Sequence, residues 1–227
     1  MPYFSSTSSI AWNKYCLASM KMDIEKIFTD IYRYNIFGGI DSISGPGSSR
    51  DQTRMIIDKL PIIFHDFHIS TLLDIPCGDF HWMSAVNLNA VDYIGADIVK
   101  ELINRNRKYE KDNIVFKKMN LITDTFPRVN LILCRDCFVH FSYSNILQSL
   151  QNIYKSKSQY LLTTTFSDYQ ENHNILTGLW RPLNLEIAPF NFPKPILCIT
   201  EKCTEGNGSY CDKSLGLWRI DDIKMSL

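Results

Sequence analysis

Apolar residues first recur at helical spacing at Ile24, Ile27, Phe28 and Ile31, which predicts an amphipathic helix over residues 23–35. Ile56, Leu60, Ile63, Phe64 and Phe67 predict a second helix, kinked at Pro61. Between them lies GGIDSISGPGSS, a loop rich in backbone donors that reads as a linker or as a lid over a ligand. From residue 71 the pattern changes to short apolar runs separated by polar and helical stretches. These runs predict strands near 71–75, 92–97, 113–118, 129–134, 159–166, 196–203 and 215–221. Ile146, Leu147, Leu150 and Ile153 mark the clearest intervening helix, over 143–154, with Ser142 as its N-cap. Such alternation implies an α/β fold, a mostly parallel sheet with helices on both faces. Residues 167–195 break the rhythm. Pro182, Pro189, Pro193 and Pro195 disfavour a helix there, while Trp180, Phe190 and Phe192 argue for order, so the segment reads as a flap beside a site.

The stretch STLLDIPCGDFHWM, residues 70–83, carries the clearest chemistry. A short apolar strand ends in Asp74, a turn containing Gly78 follows, and a helix is expected to begin after it. The next apolar strand, Tyr93-Ile94-Gly95-Ala96, ends in a second acid, Asp97. The 23-residue step from Asp74 to Asp97 is close to the roughly 20 residues between a nucleotide-binding turn and the carboxylate that holds a ribose. The pattern points to a nucleoside-containing ligand. A dinucleotide is disfavoured, because Pro76 and Phe80 stand where a pyrophosphate-binding turn needs glycine.

Composition narrows the class. Lys+Arg and Asp+Glu both number 24, so the formal net charge is zero and no basic face argues for nucleic acid. Arg105-Asn106-Arg107-Lys108, the densest basic patch, reads as a solvated helix face. No apolar run is long enough to span a membrane. The Ser/Thr-rich start lacks a secretory pattern, so residues 1–21 are expected to be a flexible tail. Seven scattered cysteines suggest reduced usage and a cytoplasmic, intracellular setting. No metal-ligand spacing is present, and no metal is expected. Residues 22–69 are expected to hold the N-terminal helices and lid loop, and residues 70–227 a core that includes the flap.

Taken together, the motifs resemble class I S-adenosylmethionine-dependent methyltransferases. The D-I-P-C-G-D-F-x-W-M turn is similar to that of a small group within them. SGPGS at 44–48, YIGADIV at 93–99, CRDCFVH at 134–140, WRPLNL at 180–185, PFNFP at 189–193 and KSLGLW at 213–218 extend the likeness over about residues 30–221. The resemblance implies a Rossmann-like seven-stranded sheet with its last strand antiparallel. It also implies a cofactor, S-adenosyl-L-methionine, held near Asp74, Pro76, Cys77, Gly78 and Asp79. Asp97 and Ile98 should meet the ribose, Asn120 and Leu121 the adenine, and Cys134 and Arg135 the methyl-donor side. Ser44, Gly45 and Arg54 should close over the cofactor, with Gln52 or Arg54 near its carboxylate.

Methyl transfer to a hydroxyl needs an aligned acceptor and a base. His140 and Asp136 are the candidate catalytic residues, after the fourth strand. Trp180, Arg181 and Asn184 are the candidate substrate-binding residues, since an aromatic beside polar groups suits a polyol. The same three could instead hold the flap together. The expected activity is O-methylation of a sugar, glycan or small polar metabolite. An inactive cofactor-binding partner protein, or N-methylation of a protein or amine, stays open, and the oligomeric state is not legible.

Overall fold

The structure, a computed structural model, describes residues 23–224. The expected flexible tail at 1–21 lies outside them. Helix α1, Ile24–Arg33, matches the first amphipathic pattern and is N-capped by Asp23, whose side chain accepts from the Glu25 N–H. Helix α2, Arg50–Asp66, starts at Ser49 and continues as one element through Pro61. Strand β1, Thr71–Asp74, is followed by β2, Asp92–Asp97, helix α3, Lys100–Asn106, and strands β3, Ile114–Lys118, and β4, Leu131–Cys134. Helix α4, Tyr143–Lys155, begins at Ser142, whose hydroxyl accepts from the Asn145 N–H at 3.3 Å; such a cap is worth about 1 kcal/mol. Strands β5, Tyr160–Phe166, β6, Leu197–Thr200, and β7, Lys213–Arg219, complete the chain.

The seven strands form one sheet in the order β3-β2-β1-β4-β5-β7-β6. Strands β1 to β5 run parallel to one another, and β7 runs antiparallel to both β5 and β6. The expected mostly parallel sheet with an antiparallel last strand is therefore present. Leu72 and Leu73 point to opposite faces, as a strand requires. Leu72 packs with Ile56 and Leu60 of α2 and Ile103 of α3. Leu73 packs with Ile146 and Leu150 of α4 and with Leu183 and Leu185 of the flap. Helices thus cover both faces. Among the described residues no helix is long and apolar enough to cross a membrane.

Two local expectations are corrected. No α-helix follows the β1 turn; residues 75–91 hold turns and a single 3₁₀ turn, Met83–Ala85. Gly78 and Phe80 both have positive φ, which an α-helix cannot contain, and Phe80, Trp82, Met83, Val86, Leu88 and Val91 bury themselves without it. Strand β7 begins at Lys213 rather than 215, because the antiparallel ladder to β5 opens with Lys213 opposite Phe166. A lysine there gives no apolar signal.

The chain runs outward from β1 to β2 and β3, then returns to β4 on the other side of β1. That reversal opens a crevice at the carboxyl edge of β1 and β4, where open α/β sheets place their ligands.

Candidate functional site

A cavity of about 1050 Å³ occupies this crevice. The turn after β1 forms its floor. Gly78 has φ +54°, and a Cβ there would meet the Ser44 hydroxyl at 2.2 Å. Glycine is thus needed twice, for the turn and for the approach of the Gly/Ser loop. The Gly78 N–H donates to Asp97 Oδ2 at 3.1 Å, and the Val99 N–H donates to Asp97 Oδ1 at 2.9 Å. The carboxylate at the end of β2 is therefore aimed by backbone alone. Burial pushes its pKa up to about 6, against the lowering effect of those two N–H groups. Asp74 sits deeper and accepts from Tyr93 Oη at 2.7 Å. Burial carries its pKa up to about 7, with the Tyr93 bond opposing.

Most residues expected at the cofactor do line this cavity: Ser44, Gly45, Asp74, Pro76, Cys77, Gly78, Asp79, Asp97, Ile98, Asn120, Leu121 and Arg135. Their roles differ in detail. Asp79 anchors the Gly/Ser loop, accepting from Ser42 Oγ and the Ile43 N–H, each at 3.0 Å, and from the His81 N–H. The loop is docked on the turn by this acid. Asn120 Oδ1 accepts from the Ile122 N–H at 2.8 Å, which leaves one lone pair for a ligand.

Two expected cofactor residues are placed elsewhere. Arg54 is exposed on α2, outside the cavity, because helical phase turns it to solvent while Thr53 and Ile56 face inward. Its neighbour Gln52 is exchanged in bonds with Thr204. Cys134 is fully buried among the residues of the α4 face and does not reach the cavity.

Another part of the cavity wall, Arg135, Asp136 and Lys213, forms a cluster of four charges with the buried Glu201. Arg135 Nη2 donates to Glu201 Oε2 at 2.6 Å and to the Gly47 carbonyl at 2.8 Å. Arg135 Nη1 lies 3.1 Å from Asp136 Oδ2. Lys213 Nζ donates to the same Asp136 oxygen at 2.7 Å and stands 3.5 Å from Glu201. Burial opposes the charge on Asp136, but Arg135 and Lys213 outweigh it and hold its carboxyl well below the usual range. A carboxylate so stabilised has little proton affinity, which corrects its candidacy as a base. Asp136 also has φ +50°, unusual for a non-glycine residue, with its N–H donating to Thr164 Oγ1 at 2.8 Å.

His140 lines the cavity, stacked on Phe37 with ring centroids 4.6 Å apart. Its Nδ1 is 2.9 Å from the Leu179 carbonyl. A carbonyl only accepts, so Nδ1 carries the proton and the lone pair is on Nε2. Burial pushes the imidazole pKa down to about 4, with the Leu179 bond opposing, so the ring is neutral at ordinary pH.

The flap is ordered and meets the cavity through Ile175, Gly178, Leu179 and Trp180. Arg181 and Asn184, expected at the acceptor, instead pin it. The Arg181 guanidinium donates to the carbonyls of His173, Phe138 and Phe141. The Asn184 amide donates to the carbonyls of Ser167 and Tyr169. Both side chains are buried, and neither lines the cavity, because buried donors must find acceptors and the helix-free flap supplies them.

Sequence reading missed Asn106, Glu201, Tyr210 and Lys213. Asn106 lies in the basic run read as a solvated face, yet it is fully buried and donates to the Gly78 carbonyl at 2.7 Å. Its spacing from Leu102 and Ile103 on the buried side of α3 was the available signal. Glu201 closes an apolar strand just as Asp74 and Asp97 do, so the same rule would have flagged it.

No family model and no curated protein sequence matches the chain. Similar solved structures include human N-acetylserotonin methyltransferase in complex with SAM, at 15% identity, TM-score 0.50, covering 69% of this chain and 47% of that one. Magnesium protoporphyrin IX methyltransferase from Synechocystis with bound SAH aligns at 11% identity and TM-score 0.48, over 63% of this chain and 72% of that one. The methyltransferase domain of bacterial CtHen1 aligns at 12% identity and TM-score 0.45, over 50% of this chain and 66% of that one. What the chain shares with the human enzyme is a fold, the Rossmann-like seven-stranded sheet.

Proposed function

We propose that this chain is an S-adenosylmethionine-dependent methyltransferase that acts on a hydroxyl of a sugar, glycan or small polar metabolite. The observation that carries the reading is Asp97, a carboxylate held at the cavity by the Gly78 and Val99 N–H groups. An acid so aimed suits the paired hydroxyls of a ribose. The residues present fit the rest of the cofactor. Gly78 keeps the turn open where a Cβ would collide with Ser44. Ile98, Val99, Leu102, Met119 and Leu121 give apolar walls for a purine, beside Asn120. The human enzyme with this fold holds the same cofactor.

When bound, the cofactor supplies an electrophilic methyl group on a sulfonium. The chain's part is to align the acceptor oxygen, exclude water and take the hydroxyl proton. His140 is the proposed base. Its tautomer leaves the Nε2 lone pair free, whereas Asp136 Oδ2 is held by two cations; with its pKa pushed down to about 4 the ring is neutral but a weak base, suited to take the proton as methyl transfer acidifies it. Asp136 is proposed as a fixed charge that orients groups near His140.

Calorimetric titration with S-adenosylmethionine, followed by a methyl-release assay on cell-extract fractions, tests the reading. Binding followed by acceptor-dependent release is expected. Binding without release on any fraction would instead support an inactive cofactor-binding protein. No binding at millimolar cofactor sinks both.

A further inference from the structure

The acceptor part of the cavity has a composition that defines a ligand class. Trp180 and Tyr210 pack edge to face at 4.9 Å and both line the cavity. Phe166 backs both rings, at 6.2 and 6.0 Å. Lys213 is the ladder partner of Phe166, so the ion pair with Asp136 adjoins this wall. His140 adjoins it too, because its carbonyl accepts from the Gly178 N–H and its ring meets the Leu179 carbonyl.

The polar groups there offer one donor beside one acceptor. Lys213 has three ammonium protons; one is donated to Asp136 and Glu201 stands 3.5 Å away, which leaves at least one for a ligand. Asp136 Oδ2 is shared by Lys213 and Arg135, while Oδ1 has only a long 3.3 Å contact from Thr164 Oγ1. Within the four-charge cluster Arg135 and Lys213 balance Asp136 and Glu201, and Glu205 adds one further acid at the cavity wall. An anionic acceptor would face Asp136 and Glu205, both of which line the cavity. A cationic one would face Lys213 and find Asp136 already neutralised, with Glu205 as its one attraction. A neutral molecule with adjacent hydroxyls meets neither penalty.

We propose that Trp180, Tyr210, Asp136 and Lys213 form the acceptor subsite, and that it takes a neutral sugar ring, the aromatic wall covering an apolar ring face while Lys213 donates to one hydroxyl and Asp136 Oδ1 accepts from its neighbour. This rests on the methyl-transfer reading above and specifies its acceptor. Lys213 and Tyr210 are specificity residues in this scheme, and His140 faces the hydroxyl that reacts.

The test uses the full chain, S-adenosylmethionine, a panel of methyl hexopyranosides, their 2-deoxy and 3-deoxy analogues, and a lysine-containing peptide as the amine probe. Methylation of at least one pyranoside is expected, with about tenfold or greater loss when either hydroxyl of the recognised pair is removed. Trp180→Ala, at a partly exposed position, should raise KM for that sugar about tenfold and leave cofactor affinity within about twofold. Lys213→Met should act the same way; if it fails to fold, Trp180→Ala together with the deoxy series decides. Equal turnover of the deoxy sugars, an unchanged KM in Trp180→Ala, or methylation of the peptide alone overturns the subsite. So does a protein that binds cofactor and methylates no pyranoside. Absence of cofactor binding is a different failure, that of the methyl-transfer reading, and it removes the subsite with it.

Discussion

Asp97 and Asp136 both follow strands at the carboxyl edge of one sheet, yet their surroundings are opposite. Asp97 is met by two backbone N–H groups, with its pKa pushed up to about 6 by burial. Asp136 is met by Arg135 and Lys213 and held well below the usual carboxylate range. The first is an acid that dipoles aim and a ligand can complete. The second is a charge the protein has already compensated. One cavity therefore has a titratable part and a fixed part, and the proposed function puts the cofactor at the first and the acceptor at the second.

The fixed part depends on its cations, so removing one has the largest expected effect. Arg135→Met leaves Glu201 and Asp136 buried with only Lys213 between them. A loss of about 3–5 kcal/mol in stability is expected, read by denaturant melts. An Arg135→Met variant as stable as the parent would show that the four charges are not a coupled unit.

At the titratable part, Asp97→Ala removes an acceptor rather than a counter-charge. It should weaken S-adenosylmethionine binding by about 100-fold, from two charge-assisted hydrogen bonds at about 1.5 kcal/mol each. Calorimetry measures this, and folding should be retained far better than in Arg135→Met. Comparable damage to folding in both variants would erase the contrast.

The pH dependence sharpens the comparison. The ionised form of Asp97 is the better acceptor, so its contribution to cofactor affinity should be complete above its pKa of about 6 and be lost below it, on top of any titration of Asp74 near 7. The limiting slope is about tenfold per pH unit for one proton. Asp97→Asn should flatten that profile. Asp136 should contribute no slope in this range, since its pKa stays below the ordinary carboxylate value. A fall in affinity as pH rises from 5 to 7 would reverse the assignment.

The smallest effect is expected outside both parts. Arg54 is exposed and does not line the cavity, so Arg54→Ala should change cofactor affinity less than about twofold. A larger change would place the cofactor's carboxylate nearer α2 than the cavity allows.

The titratable part was legible because it is local. Asp74, Gly78 and Asp97 fall within two strands and one turn, and strand alternation fixes which residues reach the edge. The fixed part was only partly legible. CRDCFVH placed Asp136 and His140, but their partners arrive from far along the chain: Glu201 is 66 residues from Arg135, and Lys213 is 77 from Asp136. Local pattern also misjudged the flap, where Arg181 and Asn184 look like substrate contacts and serve as backbone anchors.

By itself, then, the sequence determined the α/β alternation, the acid-ended strands and the glycine that keeps the β1 turn open, because each follows from period and local sterics. The pairing of β7 between β5 and β6 was decided by tertiary structure, and with it the delivery of Lys213 to Asp136 and of Tyr210 to Trp180. So was the protonation of each group. Asp97 and Asp136 are the same residue type at similar strand ends, and only the surroundings that folding gives them, burial against backbone dipoles in one case and two cations in the other, set their charge.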